Sequence, residues 1–242
     1  MTLVLAIGCT DGIVLASESA STDVTVFEVD KLYRVRDQPI LYGGSGDVGL
    51  LQKLDAAIDG MTIKKSVDKT IAEIKGRVVM VLRESARQHA PYPEAPFDKP
   101  PVGILLFGIV QDEHAWIVEF ERDGHDTVFG DTYGNFAAIG GGKPFAQIIM
   151  RPHVSVERTL EKGCVLASRI IDDAIHLAPS GLGGPIHIQT INVQGNIEEL
   201  SREQLRALSD TCELVRDAER SAIDSVLAPT LVAADVSEIP SP

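Results

Sequence analysis

At 242 residues the chain is long enough for one domain with a full core, and 44% hydrophobic with 24% charged residues is ordinary for a soluble globular protein. A formal net charge of −13 argues against a nucleic-acid partner, which needs a clustered basic footprint, and reads as a solvated acidic surface. The longest apolar stretch, Val102 to Val110, is too short to span a bilayer, and no basic region precedes the apolar residues after Met1, so neither a membrane anchor nor a signal peptide is expected.

The apolar runs Leu3 to Cys9 and Ile13 to Ser17 flank Thr10-Asp11-Gly12, which predicts a hairpin. Lys31 to Val35 and Ile40 to Tyr42, joined by Asp37-Gln-Pro, form a second pair, so the segment up to residue 45 reads as four strands. Gly43-Gly-Ser-Gly-Asp47 then introduces a helix with Val48, Leu50, Leu51, Leu54 and Ile58 at helical spacing, ending at Gly60. Ser66 caps a second helix whose stripe of Thr70, Ile74, Val78 and Leu82 runs to about His89. Ala90 to Pro101 carries five prolines and reads as a loop. Strands resume at Val102–Gln111 and Ala115–Glu121, with shorter ones at Thr127–Phe129 and Asn135–Ile139. Gly140-Gly-Gly-Lys-Pro144 leads into a helix from Phe145, and Val156 to Leu177 reads as a longer one, broken by Pro179 to Gly184. Ile186–Val193 is a late strand, and Ile197 to Leu227 a terminal helix capped by Ser201. Two helices between blocks of strands predict an α+β fold: a four-layer αββα sandwich of two stacked antiparallel sheets with helices outside. The reading is one domain over residues 1–228, with 229–242 a flexible tail.

Residue 2 is where chemistry enters. Thr2 has a side chain small enough for removal of the preceding methionine, and a terminal threonine carries nucleophile and base together. Its hydroxyl attacks, and its α-amine, with a reference pKa of about 7.7–8.0, accepts the proton. Glu18 ends the second strand and Lys31 begins the third, so neighbouring strands can bring both beside the chain start. A nearby ammonium lowers the pKa of hydroxyl and amine, and Glu18 would hold that ammonium. Gly43-Gly44 ends the fourth strand, where a backbone N–H can serve an oxyanion. Read without that chemistry, Glu18 and Lys31 are a structural ion pair and the glycines a tight turn.

These segments resemble the proteasome β-subunits and their bacterial relatives, the HslV-type peptidases, which are N-terminal nucleophile (Ntn) hydrolases. The resemblance runs in order through Thr2-Leu-Val-Leu-Ala6, Asp11-Gly-Ile-Val-Leu-Ala-Ser-Glu18, Lys31-Leu-Tyr-Arg-Val35, Gly43-Gly-Ser-Gly-Asp47, Leu105–Ile109, Gly140-Gly-Gly-Lys-Pro-Phe145 and Gly183-Gly184. It implies Thr2 as nucleophile, Glu18 as acidic partner, Lys31 as the tuning lysine and Gly43 as oxyanion donor. It places the backbone of Thr22 along an extended substrate, and Ser21, Tyr33, Leu41 and Ser45 around a moderately apolar pocket for the residue preceding the cleaved bond. Two departures stand out. The serine usual in the glycine turn is replaced by Gly141, and the Asp-x-x-Ser usual before the Gly-Gly pair reads Pro179-Ser-Gly-Leu182.

Other motifs fail on inspection. Gly140-Gly-Gly-Lys143 lacks the first glycine and the Ser/Thr of a phosphate loop, and Ser45 lacks the second glycine of a nucleophile elbow. Cys9, Cys164 and Cys212 are far apart and odd in number, which fits reduced thiols in a cytoplasmic protein, and no ligand spacing suggests a metal or other cofactor. The resemblance implies a threonine-type peptidase acting on peptide or unfolded protein substrates inside a homo-oligomeric ring, with an ATPase ring as a candidate partner. The departures at Gly141 and Leu182 keep two alternatives open: an inactive scaffold subunit, and an amidohydrolase or transpeptidase on the same fold.

Overall fold

The computed structural model describes residues 2–22, 26–89, 104–121, 126–129, 136–153, 157–177 and 181–232. The Asp11-Gly12 turn forms as expected, joining β1 (Val4–Cys9) to β2 (Gly12–Glu18) in an antiparallel pair. These two strands are buried on both faces, which is why their sequence reads as continuous apolar runs rather than alternating ones. β10 (Phe136–Ile139) pairs on the far side of β1, and β11 (Ile186–Asn192) on the far side of β2. β12 (Ile197–Glu199) closes the edge, giving the order β10-β1-β2-β11-β12.

The second sheet has the order β5-β6-β7-β8-β9, from Leu32–Arg34, Ile40–Ser45, Ile104–Gln111, His114–Phe120 and Asp126–Phe129. Between the sheets lies a core of Val4, Ala6, Ile13, Leu15, Leu41, Leu106 and Ile191. Helices α1 (Val48–Ile58) and α2 (Val67–His89) cover the outer face of this second sheet over Tyr42, Phe107 and Phe120. Helices α3 (Lys143–Met150), α4 (Leu160–Leu177) and α5 (Arg202–Val232) cover the first sheet over Leu5, Ile7, Val14 and Ile188. The four layers are therefore helix, sheet, sheet, helix.

Asp47 caps α1 by accepting the Leu50 N–H at 2.9 Å, and Gly60, at φ +73°, turns the chain out after it. Several boundaries differ from the sequence reading. Two further strands, β3 (Ala20–Thr22) and β4 (Val26–Glu28), form a small two-stranded sheet in the segment read as a connection. Helix α4 begins at Leu160 rather than Val156, because the Asp11 carboxylate, distant in sequence, accepts the Leu160 N–H at 2.8 Å and fixes the first turn there. Residues 197–199 are strand, not helix: they pair with Gln189–Ile191 before the Ser201 and Gln204 side-chain oxygens each accept the other residue's backbone N–H in a capping box at the start of α5. That helix runs to Val232, so residues 229–232 of the expected tail are helical; residues 233–242, like the 90–101 loop, lie outside the described residues.

Candidate active site

The site is built where β1 begins and β2 ends. Glu18 is fully buried, and four donors converge on its carboxylate. Oε1 accepts the Leu3 N–H at 3.2 Å and the Lys31 ammonium; Oε2 accepts the Ala20 N–H at 2.9 Å and the Gly183 N–H at 3.4 Å. Four donors match the acceptor capacity of an ionised carboxylate. Lys31, 6% exposed, also donates to the Ala20 carbonyl at 2.7 Å, so two of its three ammonium hydrogens are committed. Burial lowers the Lys31 pKa from its ordinary value, while the hydrogen bond and negative charge of Glu18 oppose that shift. The pair thus presents a desolvated cation next to the residue that follows Thr2.

A glycine turn closes the other side of Thr2. The Gly142 N–H donates to the Thr2 carbonyl at 2.9 Å. Gly140 has φ +89°, and a Cβ there would stand 2.2 Å from the Thr2 carbonyl oxygen and 3.2 Å from Ser45 Oγ. Only glycine lets the turn come this close. Lys143, the next residue, donates to buried Glu119 of β8 at 2.7 Å, tying the turn to the second sheet.

Gly43 lies buried on β6 between Leu32 and Leu106, and its own Cβ would meet Val4 Cγ1 at 2.5 Å. Its smallness lets β6 settle directly on β1, one element from Thr2. The adjacent Gly44 N–H is engaged by the Lys31 carbonyl at 3.2 Å, which ties the lysine's backbone to the same strand.

The structure therefore gathers Glu18, Lys31, Gly43 and Ser45 around the start of β1. Ser45 Oγ lies 3.2 Å from where a Cβ on Gly140 would stand, a hydroxyl beside the turn that carries no serine of its own. Leu41 is fully buried in the inter-sheet core, and Tyr33 stacks on Tyr42 at 5.2 Å on the face packed under α1 and α2. Ser21 and Thr22 pair by backbone with Phe27 and Val26, and their side chains lie outside the described residues, as do Pro179 and Ser180. Leu182 packs against the core and would lie 3.2 Å from a Cβ on Gly142, so an apolar contact supports the turn at this point. Sequence reading missed Gly183, whose N–H reaches Glu18 and whose carbonyl accepts Ser19 and Ala20; its signal was the Gly-Gly pair immediately before β11.

Among the described residues no group of histidine, cysteine, aspartate or glutamate is placed to hold a metal ion, and no described helix is long and apolar enough to cross a membrane.

Two stacked antiparallel sheets between helix layers make a four-layer α+β sandwich that is also found in solved structures. Similar solved structures include Anbu, an ancestral β-subunit, from Yersinia bercovieri (13% identity, TM-score 0.69, covering 93% of this chain and 96% of that one). Another is the Gly-1 mutant of Anbu from Hyphomicrobium sp. strain MC1 (16% identity, TM-score 0.70, covering 93% and 97%). No curated protein sequence matches the chain. The family model for the proteasome subunit matches residues 2–184, and the chain belongs to that family.

Proposed function

We propose that the chain is the threonine-type peptidase subunit of a self-compartmentalising, cytoplasmic, proteasome-like ring built from copies of itself. The observation that carries this reading is the buried Glu18–Lys31 pair bonded to the Leu3 N–H, with the glycine turn holding the Thr2 carbonyl from the opposite side. With Met1 removed, the α-amine of Thr2 takes the hydroxyl proton as Oγ attacks the peptide carbonyl. Lys31 favours the alkoxide through its positive charge, Glu18 fixes Lys31, and the backbone N–H of Gly43 supports the developing oxyanion. Collapse of the intermediate breaks the C–N bond, the α-ammonium returns its proton to the leaving amine, and water releases the acyl group from Oγ.

Ser45 favours this reading over an inactive scaffold, since it supplies a hydroxyl beside the turn where Gly141 offers none. The test is turnover of peptide substrates against small amides by the parent chain and Thr2→Ala. The proposal expects peptide hydrolysis that Thr2→Ala abolishes. Equal turnover by both proteins would remove Thr2 from the mechanism, and exclusive cleavage of small amides would replace peptidase with amidohydrolase.

A further inference from the structure

The inner face of the first sheet changes character toward the site. Along β2 it runs Ile13, Leu15, Ser17, and along β11 it runs Ile191, Gln189, His187, with Ser17 paired to His187 and Leu15 to Gln189. The first members of each run are ordinary inter-sheet core. The last are polar, although the layer there is still covered: Ser17 is fully buried. Ser17 Oγ and Gln189 Oε1 are buried atoms that find no hydrogen-bond partner among the described residues. Each such atom costs roughly 1–3 kcal/mol unless water or a ligand reaches it.

A cavity of about 230 Å³ lies beside Gln189 and His187, the latter paired with Ser17, between the edge strand β5 and the β11–β12 edge of the other sheet. Its wall includes His187 and Gln189, Lys31, Leu32 and Tyr33, with exposed Asp30, Arg34 and Glu199 at its mouth. It has room for several waters and the polar partners to hold them. Lys31 thus borders a polar space reached from the sheet edges, distinct from the Gly140–Gly142 side that holds Thr2.

We propose that this cavity is a hydrated proton path joining Lys31 to bulk water through His187. The proposal rests on the reading of Thr2 as nucleophile tuned by Lys31, and makes His187 a positioning residue that acts through the lysine. A proton taken up at the mouth passes from the His187 imidazole to a cavity water and from that water to a neutral Lys31 amine, so the ammonium that favours the Thr2 alkoxide is regenerated; the reverse passage discharges it. The charged groups facing this path are Glu18 from β2, Asp30 and Arg34 beside and on β5, and Glu199 from β12. A neighbouring cavity that His187 also borders adds Asp172 of α4 and Arg202 and Arg206 of α5. Such a path exchanges the charge at Lys31 while a bound peptide covers the front of the site.

The test is the rate of Thr2 acylation by a β-lactone, followed by intact mass across the neutral to alkaline range. His187→Gln and Gln189→Leu should each slow acylation by about tenfold near neutral pH and flatten its pH dependence. His187→Ala should be restored by added imidazole but not by pyrazole, which has a similar shape and does not take up a proton at neutral pH. Variants that acylate at the parent rate with the parent pH profile would overturn the path. So would rescue by imidazole and pyrazole alike, which would mark a packing role. A parent chain that is not acylated at all overturns the Thr2 reading itself and is told apart because no variant is involved.

Discussion

Lys31 and Glu18 are each other's countercharge, with Glu18 fully buried and Lys31 6% exposed. Removing one partner leaves the other buried without its countercharge, which typically costs 3–5 kcal/mol, far more than an exposed pair. Lys31→Met should therefore lower stability by about that much in denaturant unfolding, whereas Thr2→Ala, at a half-buried position, should leave stability nearly unchanged while abolishing acylation. A Lys31→Met chain as stable as the parent would mean that the pair is not buried as described. The nearness of Glu18 and Lys31 was legible because one ends β2 and the other precedes β5, where chain order and spacing from residue 2 decide position. The packing around Ser45 and Leu41 was not. Leu41 shares the inner face of β6 with Gly43, and that face is closed by Val4 and Leu106, which only the sheet stacking reveals.

At the scale of elements, the β1–β2 turn does more than reverse the chain. Asp11 accepts the first N–H of α4 at 2.8 Å, and the Thr10 N–H reaches the Arg158 carbonyl at 2.8 Å, so one turn sets both the hairpin and the helix lying across it. Asp11→Ala should cost about 1 kcal/mol, the usual worth of a helix cap, and should loosen the first turn of α4 in amide exchange. Unchanged protection at Leu160 would contradict that assignment. The Asp-Gly dipeptide announced the turn, but nothing local announced the cap, because its two ends are far apart in sequence. The strands β3 and β12 escaped detection for a related reason: three residues are too few to show a period, and Ile197-Glu-Glu gains its strand character from pairing with β11. The glycine turn at 140–142 was visible as composition, while its purpose needed the Thr2 carbonyl beside it.

For the whole molecule, the order of strand and helix blocks was enough to give the αββα layering, since each sheet must bury two faces and only helices are available to cover the outer ones. That same burial has a pH consequence. Cys9 and Cys164 lie in the core between the first sheet and α4, and burial pushes both thiols up to about 12 from an ordinary 9.0. A raised folded-state value means that the unfolded chain ionises first. The stability from keeping them as thiols is complete below pH 9 and is lost as pH climbs toward about 12. Each thiol should cost roughly 1 kcal/mol for each pH unit over that interval, read by chemical denaturation, and a Cys9→Ala, Cys164→Ala double variant should show a shallower alkaline decline. A decline equally steep in the double variant would assign it elsewhere.

The claim on which the functional account turns is that Thr2 is the first residue of the mature chain and its hydroxyl the nucleophile. Intact-mass measurement of the purified protein before and after treatment with a peptide epoxyketone, whose two electrophilic carbons need the hydroxyl and a free α-amine together, tests both parts at once. The account predicts a mass lacking Met1, then a gain of one probe per chain at Thr2, absent in Thr2→Ala. A chain that keeps Met1, or one that loses it and takes up no probe, would contradict it.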